Sequence, residues 1–356
     1  MIHPAPNVVV VGGGIMGACI AWNLAKAGIR VTVLEQQARP AAGATWWSYG
    51  WVGTASAFPS EAPNAFALKQ QALREFASLE RDLSSLPYAA RGALVWCEND
   101  HETAHLVAEQ QAVGVAMNLI DRLAIQQLEP QLRELPTCAA WAPNDFALEP
   151  IQLTQQLLQA AQALGAELRY NVRVDSLVTQ GDKVIGVRST QGDINADVVM
   201  LANGIAAQQL LLDYGVAAPI TEAPAVLMRW QASETCVHHL ICADDLELRP
   251  DRQGGIVVAM DYPEEGEAGL ESLVLAVKKR LEQMIMPSPT LSLHSMAGAY
   301  RPLTHSGMPY REMCAAIKGL YVTVAHPGII LGPYLARLSV EEVLNYLANQ
   351  KFIYGF

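Results

Sequence analysis

Val8-Val9-Val10-Val11-Gly12-Gly13-Gly14-Ile15-Met16-Gly17 is the stretch whose reading decides the fold. Four consecutive valines suit a strand buried on both faces of a parallel sheet. The glycines after them form G-x-G-x-x-G, and the spacing predicts a helix from about Ile15 to Ala27, closed by Gly28. Ile29–Leu34 reads as a second strand, and Glu35 ends it, 35 − 14 = 21 residues after Gly14. Strand, glycine turn, helix, strand and terminal acid are together the context in which this motif binds a dinucleotide. Gly12 permits the tight turn, Gly14 has no Cβ to hold backbone away from a pyrophosphate, and Gly17 lets helix and strand pack closely. The helix N-terminus offers free N–H groups and the positive end of its dipole. An acid at Glu35 suits ribose hydroxyls and disfavours a 2′-phosphate, so NADP is not expected. A glycine turn serving packing alone is the competing reading. The motif does not choose between NAD and FAD.

Outward from this unit, the chain has 356 residues, enough for two domains at roughly 150 residues each. Hydrophobic residues at 51% against 17% charged exclude a mainly disordered chain. The charge, 24 − 35 = −11, argues against nucleic acid as a partner. Six scattered cysteines without a CxxC pair suit a reducing compartment and no structural zinc. Val8–Trp22, the most apolar N-terminal stretch, has no Lys or Arg before it and is interrupted by glycines. No transmembrane segment or signal peptide is expected. A cytoplasmic protein is expected, with peripheral membrane contact left open. His238-His239, with Cys236 and Cys242 nearby, is the nearest approach to a metal cluster. Adjacent strand residues face opposite sides, so no metal site is expected.

Residues 41–60 read as a long ordered loop crowded with Trp46, Trp47, Tyr49 and Trp51. Helical spacing marks 65–81 and 152–164. Short strands are expected at 93–97, 167–170, 172–179 and 183–189, and a nearly pure apolar strand at 197–202. From Pro219 to Leu293 the pattern becomes alternating strands broken by Pro and Gly, with one helix near Leu270–Met284. Residues 297–301, 320–325 and a helix over 334–348 return to the first pattern. The expected fold is α/β: a discontinuous Rossmann-like domain (1–85, 146–215 and 295–356) with an inserted antiparallel-sheet α+β domain (86–145 and 216–294).

Three further features decide the cofactor. Gly43-Ala44-Thr45 leads into a loop ending at Gly50. Gly165-Ala166-Glu167 begins strands carrying Val174, ahead of Asp197–Gly204. Arg301-Pro302-Leu303-Thr304-His305-Ser306-Gly307-Met308-Pro309 precedes Gly319–His326. With these, nearly the whole chain resembles the D-amino acid oxidase-like flavoproteins, in the branch of glycine oxidase, sarcosine oxidase and D-amino acid dehydrogenases. The resemblance implies FAD, with a sheet-rich second domain covering the flavin ring. It implies oxidation of the C–N bond of a small amino acid or amine, by hydride transfer from the α-carbon to flavin N5, giving an imine that water hydrolyses. It assigns Gly12, Gly14, Ile15, Met16 and Gly17 to the pyrophosphate, and Glu35 with Gln36 to the ribose. Ala44 and Thr45 fall near the phosphates, Val174 at the adenine, and Ala202 and Gly204 at a strand end close to FAD. Arg301 matches the arginine that in several members binds the substrate carboxylate. His326, Gly328 and Ile329 pass the flavin edge.

Each substrate-side residue keeps a plainer alternative. Arg301 could be a structural arginine pairing a carboxylate between domains. His326 could be a core histidine satisfied by backbone. Tyr49, Trp51 and Tyr300 could wall the substrate pocket or simply pack between domains. The sequence also departs from the family pattern. Ser306 stands at its Asp, Tyr310-Arg311 at its Ile-Gly, and the run from His326 to Pro333 is short. The strand around Leu248-Arg249-Pro250 lacks the tyrosine that some amino-acid-oxidising members place there. No cysteine near Arg301-Pro302 matches the one that anchors flavin covalently in sarcosine oxidase-like members, so non-covalent FAD is expected. The electron acceptor is left open among oxygen, a quinone and a partner protein. A second reading is a flavin-bearing electron-relay subunit with a degraded substrate pocket.

Overall fold

The valine strand, Asn7–Val11, lies inside a six-stranded sheet between Val198–Leu201 and Arg30–Leu34, parallel to both. The sheet continues to Glu167–Arg169 on one side, and to Leu320–Val324 and antiparallel Tyr310–Met313 on the other. The computed structural model describes residues 6–286 and 289–354. The valines alternate between two cores. Val8 and Val10 meet the helices Ile15–Lys26, Pro150–Ala163 and Gly328–Tyr354 on one face. Val9 and Val11 meet the three-stranded sheet of Val174–Gln180, Lys183–Ser189 and Gly192–Asn195, with the helix Ala206–Leu212, on the other. With both faces covered, each position of the strand must be apolar.

The larger sheet has nine strands. Its long edge pair, Ile220–Ala232 and Leu291–Thr304, runs antiparallel, followed by Ile256–Asp261, Glu247–Pro250 and Leu240–Cys242. Then come Tyr88–Val95, Cys138–Leu148 and the two-residue Trp51–Val52, with Asn118–Asp121 on the side. The junction of Leu240–Cys242 with Tyr88–Val95 is parallel, unlike the rest. It joins the two sequence segments expected to form the second domain.

Sheet membership corrects the expected boundaries in two places. Residues 297–301, expected to return to the first domain, lie within Leu291–Thr304 and pair along Ile220–Ala232. Their alternation of Ala297, Ala299 and Arg301 on one face belongs to a half-covered antiparallel strand. Trp51–Val52 leaves the expected loop to pair with Phe146 and Ala147 in the larger sheet. The strand expected at 93–97 instead spans Tyr88–Val95 and crosses Gly92, whose φ is +83° at a register shift. A glycine in that conformation marks a bulge and hides the first half of the strand from a periodicity reading. The final helix begins at Gly328, six residues before the expected start at 334, so that Pro333 falls within its first two turns.

Candidate active site: a cleft between the two sheets

Four parallel strands end at one place. Gly12 follows Val11, Glu35 follows Leu34, Ala202 follows Leu201, and Ala325 follows Val324; all four line a cleft of about 1160 Å³. The larger sheet roofs it. The carboxyl ends of parallel strands are where an open α/β sheet binds ligands.

The turn is built by contacts that only glycine allows. Gly12 has φ +108°, and a Cβ there would come 2.7 Å from the Ala202 carbonyl oxygen. A Cβ on Gly17 would stand 1.9 Å from the Gly12 carbonyl oxygen. Gly17 therefore does not line the cleft; its backbone bears on the turn from behind. The Glu35 carboxylate accepts the N–H of Gly13 at 2.8 Å and of Gln37 at 2.8 Å, which fixes it at the strand end. The helix Ile15–Lys26 has no acidic residue in its first turn, and its N-cap, Gly14, carries no capping side chain. Thr45 Oγ1 accepts the Ile15 N–H at 3.1 Å. Asn203, also in the lining, has a buried Oδ1 without a partner. An open helix N-terminus, no local negative charge in its first turn and an orphaned amide oxygen fit the phosphates and hydroxyls of a dinucleotide.

Ile15, Met16, Gln36, Ala44, Val174 and Gly204 line the same cleft, as do Gly14, Thr45, Gly328 and Ile329. Tyr49 and Trp51 are in its wall. Tyr300 reaches only the rim, 52% exposed, because it leaves the strand opposite to Arg301. Trp46 is not in the lining; Arg39 stacks over its ring at 3.8 Å.

The roof presents Ala225, Leu227, Ala259, Glu247, Asp261 and Arg301 to the cleft. Arg301 Nη2 donates to the Pro224 carbonyl at 3.2 Å and lies 3.8 Å from Asp261 Oδ1. Both carboxylate and guanidinium belong to the roof, so Arg301 does not tie the two sheets together. That task falls to Arg249, fully buried, whose Nη1 donates to Glu149 at 3.0 Å and whose Nε donates to the Tyr49 carbonyl at 2.6 Å. His326 is pushed down to about 4 by burial, then by the charges of Arg301 and Lys69, so its ring is neutral at pH 7.

Sequence reasoning missed Lys69, Glu247, Asp261 and Asn203, all in the lining. Lys69 sits on the amphipathic helix Pro63–Leu83, where a lysine reads as solvated, yet burial lowers its pKa. Glu247 and Arg249 share one face of a short strand. Two charges on one face of a strand next to a proline were the available signal.

Comparison with known proteins agrees with this geometry. The chain is 25% identical over 355 residues to the bifunctional protein ThiO/ThiG of Trichormus variabilis, covering 95% of this chain and 52% of that protein. It thus spans about half the length of that relative. It is 23% identical to a glycine oxidase of Pseudomonas aeruginosa, covering 94% of each. The structure of a glycine oxidase from Bacillus cereus superposes with a TM-score of 0.82 at 21% identity, covering 96% of this chain and 95% of that one, which shows a shared fold. Among the described residues, no helix is long and apolar enough to cross a membrane. The family model described as FAD dependent oxidoreductase (DAO) matches residues 7–342, and the chain belongs to that family.

Proposed function

We propose that the protein oxidises the C–N bond of a small amino acid or secondary-amine acid, with FAD held non-covalently in the cleft. The observation that carries this reading is the continuity of one cavity from the glycine turn to the Arg301 guanidinium. At one end, Gly12, Gly14, Ile15 and Met16 would hold the pyrophosphate, with Thr45 beside them on the Ile15 N–H. Glu35 with Gln36 would hold the ribose and Val174 the adenine. Ala44, Thr45, Ala202, Gly204, Gly328 and Ile329 would flank the remainder. When bound, FAD supplies a two-electron acceptor for hydride from the carbon beside the nitrogen.

The chain's own part is to bind, orient and exclude water. Arg301 offers a planar fork to the substrate carboxylate. Its half-buried position beside Asp261 leaves the guanidinium accessible from the cleft. His326, neutral, adds no third cation beside Arg301 and Lys69 and would meet the cofactor edge. Tyr49 and Trp51 would exclude water from the reacting carbon, whereas Tyr300 stays at the rim. The names of the relatives, glycine oxidases among them, support an amino acid as substrate.

Anaerobic mixing with a panel of D-amino acids, glycine, sarcosine, proline and hydroxyproline tests this. Loss of the oxidised flavin absorbance with at least one of them is expected. Arg301→Ala should keep the flavin spectrum and lose that reduction by about a hundredfold or more, and Arg301→Lys should recover only part of it. If no amino acid or amine reduces the wild type, the reading falls and the electron-relay alternative takes its place. If the wild type is reduced and Arg301→Ala is reduced as fast, another group holds the carboxylate.

A further inference from the structure

Glu247 stands in the cleft without a counter-charge. It begins the strand Glu247–Pro250. Its carboxylate faces the lining, and among the described residues it accepts no hydrogen bond and joins no ion pair. Burial, followed by the like charge of Asp261, pushes its carboxyl up to about 7. Beside it, the Tyr49 hydroxyl is buried with no partner, near enough to feel the Glu247 charge.

The protein's own cations are committed elsewhere: Arg249, on the same face of the same strand, pairs with Glu149 and donates to the Tyr49 carbonyl. Arg301 lies on the edge strand of the roof, three strand spacings from the strand of Glu247, roughly 14 Å at about 4.8 Å each, and four residues, roughly 13 Å, further along than Ala297, which stands in register with Glu247. Its guanidinium is engaged by the Pro224 carbonyl and Asp261. Lys69 acts on His326. A carboxylate inside a ligand cleft that no protein cation neutralises is costly unless the ligand supplies the cation.

We propose that Glu247 binds a cationic nitrogen of the substrate while Arg301 binds its carboxylate, so that the substrate is an amino acid whose positive nitrogen is several carbon atoms from its carboxylate. An α-ammonium adjoins its own carboxylate and cannot span the two groups. The nitrogen belongs either to a basic side chain or to an ω-amino acid. The Tyr49 hydroxyl is placed to take part in the same contact. The proposal rests on the reading of the cleft as an amino-acid-oxidising site.

Binding without turnover tests it first, on the FAD-loaded protein. Thermal unfolding with 6-aminohexanoate and with hexanoate as probes should show the former binding about tenfold more tightly at pH 8. Glu247→Gln should retain the flavin spectrum and lose that preference. In the wild type the preference should fade as pH falls below about 7 and the carboxyl takes a proton. Equal binding of the two probes, or a preference that survives Glu247→Gln, overturns the proposal. Anaerobic flavin reduction then separates the two sources: lysine, ornithine and arginine in both configurations against norleucine, and 4-aminobutyrate against glycine. A best substrate such as glycine, reduced equally well by Glu247→Gln, overturns the cation site and leaves the oxidation reading standing. A probe preference with no reduction by any compound supports the cation site and removes the oxidation reading.

Discussion

At the scale of single residues, Gly17 separates two jobs that one motif assigns together. It lies outside the cleft, yet any side chain there collides with the Gly12 carbonyl at 1.9 Å. Gly17→Ala should therefore weaken FAD binding by shifting the turn, although no atom is added to the pocket; flavin retained through gel filtration measures it. Gly14 is the contrasting case, since an added Cβ would meet only Thr45 Oγ1, at 3.1 Å. Gly14→Ala should be tolerated better than Gly14→Val, whose branches enter the cleft. Asp145 carries another residue-scale prediction. It accepts the indole N–H of Trp51 at 2.8 Å and the N–H of Ala55 at 3.0 Å, and burial pushes its carboxyl up to about 6 from 3.8. A raised carboxyl stabilises the fold when protonated, and that contribution is lost as pH rises from about 4 through about 6. Stability measured by chemical denaturation should thus move in favour of Asp145→Asn over the wild type across that window, by up to about 3 kcal/mol. His326 has the opposite sign. Its pKa falls from 6.5 to about 4, so the wild type should lose stability relative to His326→Gln as pH drops from 6.5 towards 4.

At the scale of elements, the strand Glu247–Pro250 and the start of the helix Pro150–Ala163 are pinned by one buried ion pair, Arg249 with Glu149. Removing one partner strands the other charge in the interior. Arg249→Ala should cost about 3–5 kcal/mol, and Arg249→Met less, because its side chain refills most of the buried space that alanine would leave empty. Denaturant midpoints of the two variants check the order. Elements also show where the sequence was readable. Val8–Val11 could be recognised because burial on both faces leaves no freedom of composition, and Leu270–Met284 because one face of the helix is apolar. Leu291–Thr304 was cut short because Ser292, His294 and Ser295 interrupt the apolar residues of its first half, and its partner, Ile220–Ala232, lies about 70 positions away. The glycine turn and Glu35 were legible for a similar reason: their chemistry is local. Glu247 and Lys69 were not, because only tertiary placement turns a surface charge into a lining charge.

At the scale of the whole molecule, the glycine turn and Glu35 line the cleft from the six-stranded sheet, and Arg301 and Glu247 line it from the nine-stranded one; in the proposed reading these are its cofactor and substrate ends. The two can vary separately. Changes at Arg301 or Glu247 should alter which amine is accepted and leave FAD retention unaltered, and paired measurements of flavin content and reduction rate check it. The alanines of the roof carry the remaining consequence. Ala225 and Ala299 stand in register on neighbouring strands, with Ala259 diagonal to Ala225 on the next strand, and all three line the cleft across from the strand ends. Their shortness sets the headroom. A flat ring system passes under methyl groups where a branched side chain would touch the floor. Lengthening one of them, as in Ala225→Leu, lowers the ceiling over the ring and leaves the far end of the slot open. Such a chain should still be protected against heat by ADP, and FAD should protect it no more than ADP does.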